Sequence, residues 1–154
     1  MKRRVEVKLS LPVVAPLLDV IRELSSELER TLAAPQALHD LDQEFRGAWI
    51  GDLLESQNGD LRALLSLFDG EFFTEGVVAF DETNAEPIVR ACTAFRLHLR
   101  ERRLKTLSDE ALETGDVEMA GLDEPVRKAF MCYLFLATVQ ELIIQHLDST
   151  ILGP

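Results

Sequence analysis

The sequence predicts a mainly α fold: a single-domain helical bundle around a hydrophobic C-terminal helix, with a minor two-stranded β element. Three observations predict it. Apolar residues recur at helical spacing along most of the chain, only two short stretches carry strand signals, and Ala129 to Ile144 is apolar almost all round. At 154 residues, 47% of them apolar, the chain suits one domain, 1–154, that buries its own core without a metal or disulfide staple.

Arg4 to Leu9 alternates, with Val5, Val7 and Leu9 on one side and Arg4, Glu6 and Lys8 on the other, so a short half-buried strand is expected at 4–9. Pro12 and Pro16 then open a helix, where a missing N–H is tolerated. Its stripe is Leu17, Ile21, Leu24, Leu28 and Leu32, and Pro35 ends it. A second helix, from about Gln36 to Ser56, buries Leu38, Leu41, Phe45, Trp49 and Leu53. Gly47 and Gly51 each cost roughly 1 kcal/mol of helix propensity there, which points to close packing against another element. Asn58-Gly59 turns the chain, and Asp60 caps a third helix that ends near Asp69-Gly70.

The second strand is expected at 77–81, within Gly76 to Asp81, and a two-stranded sheet needs helices over one face. Thr83, Glu86 and Pro87 form a helix start of the capping-box kind. The fourth helix that follows carries Ile88, Ala91, Cys92, Phe95 and Leu99 inward. Ser108 starts a short helix over Asp109 to Glu113, ended by Gly115. Asp123 and Pro125 open the last helix, which runs to about Leu147. A helix without a polar face must be surrounded, inside the domain or at an oligomer interface, so a homodimer is expected.

Charge narrows the partners. A net charge of −11 repels phosphates and anionic membrane surfaces, so neither nucleic acid nor a membrane is expected as a partner. The run Ala129 to Val139 falls short of the roughly 20 residues needed to span a bilayer. Lys2-Arg3-Arg4 ahead of the apolar stretch from Leu9 to Ile21 imitates a signal peptide, but Pro12, Pro16 and Asp19 interrupt it and no small-x-small cleavage site follows. Cys92 and Cys132 lie in helical patterns and read as buried reduced thiols. A cytoplasmic location is expected.

Familiar chemistries find little support. Glu-x-x-His is absent, and Glu141 and His146 are five apart, off a common helical face. His39, Asp40, Asp42 and Glu44 supply only two ligands to any one face, so no metal is expected. There is no Gly-rich phosphate fingerprint and no nucleophile elbow, so no cofactor or catalytic residue is assigned.

One charged feature stands out. Arg96 to Lys105 holds five Lys or Arg against one Glu, and Arg96, Arg100 and Arg103 share a face by i, i+4, i+7 spacing. The plain reading is ion pairs with the many carboxylates; the sharper one is a docking surface for an acidic partner or an anionic ligand. Gln140 interrupts the stripe Val126, Phe130, Tyr133, Ala137, Ile144 and Leu147, where a polar group must find hydrogen bonds. Neighbouring Glu141 is expected to pair with Arg96 or Arg100.

These residues carry a resemblance. Tyr133, Phe135-Leu136, Val139-Gln140-Glu141, Ile143-Ile144 and Leu147, with Glu44-Phe45-Arg46 and Phe95-Arg96-Leu97, resemble the motifs of a bacterial family, domain of unknown function 2017. Thr93-Ala94 departs from that family's Asn-Asp, and Arg100 to Leu104 replaces its Gly-Thr-Arg-Leu. The resemblance implies no activity, substrate or cofactor. Its genes commonly neighbour one for an adaptor of the Clp protease, which implies a link to regulated proteolysis.

The expected function is a non-catalytic protein-interaction or regulatory module, with Arg96, Arg100, Arg103, Gln140 and Glu141 as candidate partner- or anion-binding residues. One alternative is a small-molecule-binding regulator with a pocket between the fourth and last helices. Another is an enzyme whose site assembles from scattered carboxylates.

Overall fold

The computed structural model describes residues 4–33 and 43–148, and the chain there is mainly helical. The elements are β1 (Arg4–Lys8), α1 (Leu11–Leu28), α2 (Gln43–Leu65), α3 (Gly70–Glu75), β2 (Val77–Asp81), α4 (Ala85–Arg102), α5 (Asp109–Thr114) and α6 (Glu124–Ile143). A π-helical turn, Ile144–Asp148, continues α6. Pro35, Leu38, His39, Asp40, Leu41 and Asp42 lie outside the described residues, as do the side chains of Glu44, Phe45, Arg46 and Leu147 and the surroundings of Gly47.

The two predicted strands pair antiparallel, Arg4 opposite Asp81 and Lys8 opposite Val77. The pleat turns Val78 and Phe80 into the core, with Val5 and Val7 packed against it. Gly76 closes α3 and opens β2 at φ 72°, and its carbonyl accepts from the Leu9 amide at 2.7 Å. A Cβ there would stand 2.7 Å from the Leu9 carbonyl oxygen, so only glycine fits this junction.

Helix α1 buries Leu17, Ile21, Leu24 and Leu28, as its periodicity predicts, but stops at Leu28. The reason lies in α2. Gln57 Nε2 donates to the carbonyls of Leu28 (2.8 Å) and Thr31 (3.0 Å), and Asn58 Nδ2 donates to that of Glu29 (3.2 Å). Carbonyls left open at the helix end thus find donors on a neighbouring helix.

That use of Gln57 and Asn58 also accounts for a correction. The chain does not turn at Asn58-Gly59; α2 passes straight through to Leu65, and burial of Leu61 and Leu64 overrides the local propensity. Asp69 does not end a helix but begins α3, its Oδ1 accepting from the amides of Glu71 (3.0 Å) and Phe72 (3.3 Å). Trp49 and Leu53, expected inside, are 52% and 36% exposed, because the buried side chains described on α2 lie in its C-terminal half. Nothing lies within 4 Å of a Cβ built on Gly51, so close packing does not explain that glycine.

The start of α4 is another correction. Asp81, not Thr83, organises it: Asp81 Oδ1 accepts from the amides of Thr83 (2.8 Å) and Asn84 (3.1 Å), and Asn84 Oδ1 accepts from the Asp81 amide (2.8 Å). The inward face of α4 is the predicted one, Ile88, Ala91, Cys92, Phe95 and Leu99. Ser108 caps α5 by accepting from the Ala111 amide, and Gly115 ends it in a left-handed conformation.

By length and composition alone, Glu124–His146 is long and apolar enough to cross a bilayer, a longer stretch than the Ala129 to Val139 run. In the fold it packs on α1 and α4 through Ala129, Phe130, Cys132, Leu136, Val139 and Ile143. Burial of those residues needs no second copy of the chain. Met131 and Ile144 remain exposed.

Candidate functional site

The α4–α6 contact brings the predicted polar residues together. Gln140 faces α4 from the apolar stripe of α6 and is buried. Its Nε2 donates to the Val89 carbonyl at 2.9 Å and to Thr93 Oγ1 at 2.7 Å. Its Oε1 accepts from Arg96 Nη1 at 2.7 Å. The hydrogen bonds demanded of a polar residue on an apolar stripe are therefore made, and all of them run to α4.

Arg96 makes two further contacts with α6. Its Nη2 donates to the Tyr133 hydroxyl at 3.2 Å, and its guanidinium carbon lies 4.6 Å from the centre of the Tyr133 ring. The guanidinium is half-buried, and among the described residues no carboxylate lies within ion-pair distance of it. Among the described residues Arg127 is the other partly buried arginine without a carboxylate, but its guanidinium donates to the Met119 and Leu122 carbonyls and lines no such cleft with a second arginine.

The other candidates divide. Arg100 pairs with Asp109 at the start of α5. Arg103 pairs with Glu23 (3.1 Å) and Glu27 (3.0 Å) of α1. Glu141 does not meet an arginine: it is exposed, and its carboxylate accepts from Gln145 at 3.2 Å. The three arginines share a helix face, but the fold spends two of them on intramolecular ion pairs and leaves Arg96 to neutral partners.

Thr93, Arg96, Leu97, Arg100 and Tyr133 line a cleft of about 160 Å³ between α4 and α6. Ligand pockets for drug-sized molecules run to roughly 300–1,000 Å³, so this one takes a small group such as a carboxylate. A larger cleft, about 380 Å³, lies between α1 and α2 beside Glu29, Arg30, Asn58 and Arg62. Sequence reasoning found Arg96 and Gln140 but missed Thr93, whose hydroxyl takes part in the network at the position where the chain departs from the family's Asn-Asp.

Other reactive groups are quiet. Burial pushes the thiols of Cys92 and Cys132 up to about 12, which suppresses the thiolate. Burial lowers the pKa of His98, opposed in part by Glu27. Among the described residues no group of three or more His, Cys, Asp or Glu is placed to hold a metal ion.

A family model described as a domain of unknown function (DUF2017) matches residues 12–147, a span that includes the whole arginine cleft. No curated protein and no solved structure matches the chain.

Proposed function

We propose that this chain, which belongs to the DUF2017 family, is a non-catalytic protein-interaction module that receives an acidic side chain of a partner protein in the Arg96 cleft. The observation that carries this reading is the guanidinium of Arg96, held by Gln140 and Tyr133 without a carboxylate and lining an open cleft beside Arg100. Gln140 and Tyr133 fix the fork in place, so little side-chain entropy remains to be lost when an acid docks. The cleft's size matches a side-chain carboxylate, and the bidentate geometry of arginine suits that group.

Thr93 supplies the variant for a test. It is exposed, and it precedes Arg96 by three residues and Arg100 by seven, so Thr93→Glu places the chain's own carboxylate over the cleft. The wild-type protein, tagged and incubated with lysate of its native host, is expected to retain a specific partner that 0.5 M salt releases, since screening at that concentration acts over a few ångströms. Thr93→Glu is expected to lose that partner while remaining folded, its stability lowered by no more than about 1 kcal/mol through loss of the hydroxyl that accepts from Gln140. Equal capture by the folded Thr93→Glu protein would remove the cleft from the interaction.

A further inference from the structure

The exposed apolar side chains among the described residues include Trp49 and Leu53 of α2 and Leu97 of α4. Arg90 of α4 grips Asp60 of α2 through two guanidinium nitrogens, each 3.1 Å from a carboxylate oxygen. From there α2 and α4 run antiparallel, since Gln57 reaches the segment 28–33, whose end lines a cleft with His98 and Glu101 further along α4. Leu97 lies seven residues after Arg90 and Leu53 seven before Asp60. Seven residues return a helix to nearly the same face, within about 20°. One heptad beyond the Asp60–Arg90 pair, Leu53 and Leu97 stand on the same faces of α2 and α4 as that pair, and Trp49 follows one turn later on the same face of α2.

All three are exposed: Trp49 is 52%, Leu53 36% and Leu97 37% accessible. Leu97 also lines the Arg96 cleft. An unneutralised cation and an apolar strip thus share one border residue.

Building on the carboxylate-docking reading, we propose that the docking face crosses α4 onto α2. Its occupant is a segment of another protein that is acidic and apolar at once, with a carboxylate in the Arg96 cleft and an adjoining hydrophobic side chain on Leu97, Leu53 and Trp49. Charge complementarity chooses this occupant: an apolar segment without an acid leaves Arg96 unneutralised, and a basic one meets the Arg96 cation. A short apolar contact beside a fixed cation is also the arrangement in which a few anchors dominate affinity.

The test uses the full chain as bait for a random-peptide display library. A synthetic copy of a selected peptide without Trp is then titrated while the emission of Trp49, the only tryptophan, is followed. The selected peptides are expected to carry Asp or Glu beside Leu, Ile or Phe. Binding should shift Trp49 emission to the blue, and Leu53→Ser should weaken it by about tenfold or more, the scale of one leucine side chain's burial. Thr93→Glu should weaken it comparably. Acidic peptides that bind through the cleft, are lost in Thr93→Glu, but ignore Leu53→Ser and leave Trp49 emission unmoved would overturn the extension while leaving the carboxylate reading intact. No enrichment, or binding untouched by Thr93→Glu, would overturn both. Trp49 emission that shifts with the concentration of the protein alone, together with a dimer in sedimentation, would assign these apolar residues to a second copy and overturn the proposal.

Discussion

Replacing Gln140 with Leu keeps the side chain's size while removing every polar link it makes across the α4–α6 contact. Gln140 gives up two neutral hydrogen bonds, to the Val89 carbonyl and Thr93 Oγ1, and one from the charged Arg96. Net contributions of about 1 kcal/mol for each neutral bond and about 1.5–3 for the charged one sum to roughly 3.5–5 kcal/mol. Two effects reduce that figure. Leucine adds buried apolar surface, and Arg96 is open enough for water to take the place of Oε1. A net loss of about 2–4 kcal/mol is expected, which for a chain of this size lowers Tm by roughly 5–15 °C. Urea and thermal melts followed by circular dichroism measure it. A second variant, Arg96→Met, closes a double-mutant cycle whose coupling should be about 1–3 kcal/mol. A loss below about 1 kcal/mol, or strict additivity of the two changes, would refute the reasoning that Gln140 and Arg96 form one unit.

Three further expectations concern the fold. Gly76→Ala combines a left-handed backbone with a Cβ 2.7 Å from the Leu9 carbonyl oxygen, and should lower stability by about 2–4 kcal/mol in urea unfolding; a loss under 1 would contradict this junction. Gly51→Ala and Gly59→Ala meet open space and an ordinary contact of 3.8 Å to Arg62, so each should raise stability by about 0.5–1 kcal/mol, and a decrease would show that α2 is not continuous there. His98 is held neutral chiefly by burial, with Glu27 opposing and Arg102 and Arg103 adding to the lowering of its pKa. Below about pH 6.5 the unfolded chain then binds a proton that the native state binds less readily, so stability is complete above that pH and declines as pH falls through the folded value. His98→Gln should flatten the fall in urea midpoint between pH 7.5 and 5.5; an unchanged slope would show that His98 does not contribute to it.

Much of the fold is legible in the sequence where periodicity and end signals agree. The inner faces of α1 and α4, the strand pair and the Ser108–Gly115 brackets of α5 follow from spacing and turn chemistry alone. Region 43–75 is not legible in this way, because its local signals point the wrong way. Asn58-Gly59 reads as a turn, but Asn58 and Gln57 are occupied with the end of α1, a contact across 24 to 29 residues that no window along the chain contains. Asp69 suits either end of a helix, and only the amides of Glu71 and Phe72 decide that it begins one.

The site divides on the same line. Gln140 is conspicuous because it breaks an apolar stripe, and Arg96 because it belongs to a basic run. Their partners are hidden. Glu141 is next to Gln140 in sequence but about 100° away around the helix, so it points to solvent while Gln140 points to Arg96. The acids that neutralise Arg100 and Arg103 come from α5 and α1, and nothing in the spacing of Arg96, Arg100 and Arg103 reveals which of the three they leave over.

The central claim, that Arg96 awaits a partner's carboxylate, is tested most directly by the affinity of one captured partner for a matched pair of variants. Thr93→Glu and Thr93→Gln have nearly the same size and differ in one charge over the cleft. Calorimetric titration should show binding about tenfold or more weaker in the Glu variant than in the Gln variant, a comparison in which both have lost the Thr93 hydroxyl. Equal affinity for the two variants would mean that no carboxylate docks beside Arg96.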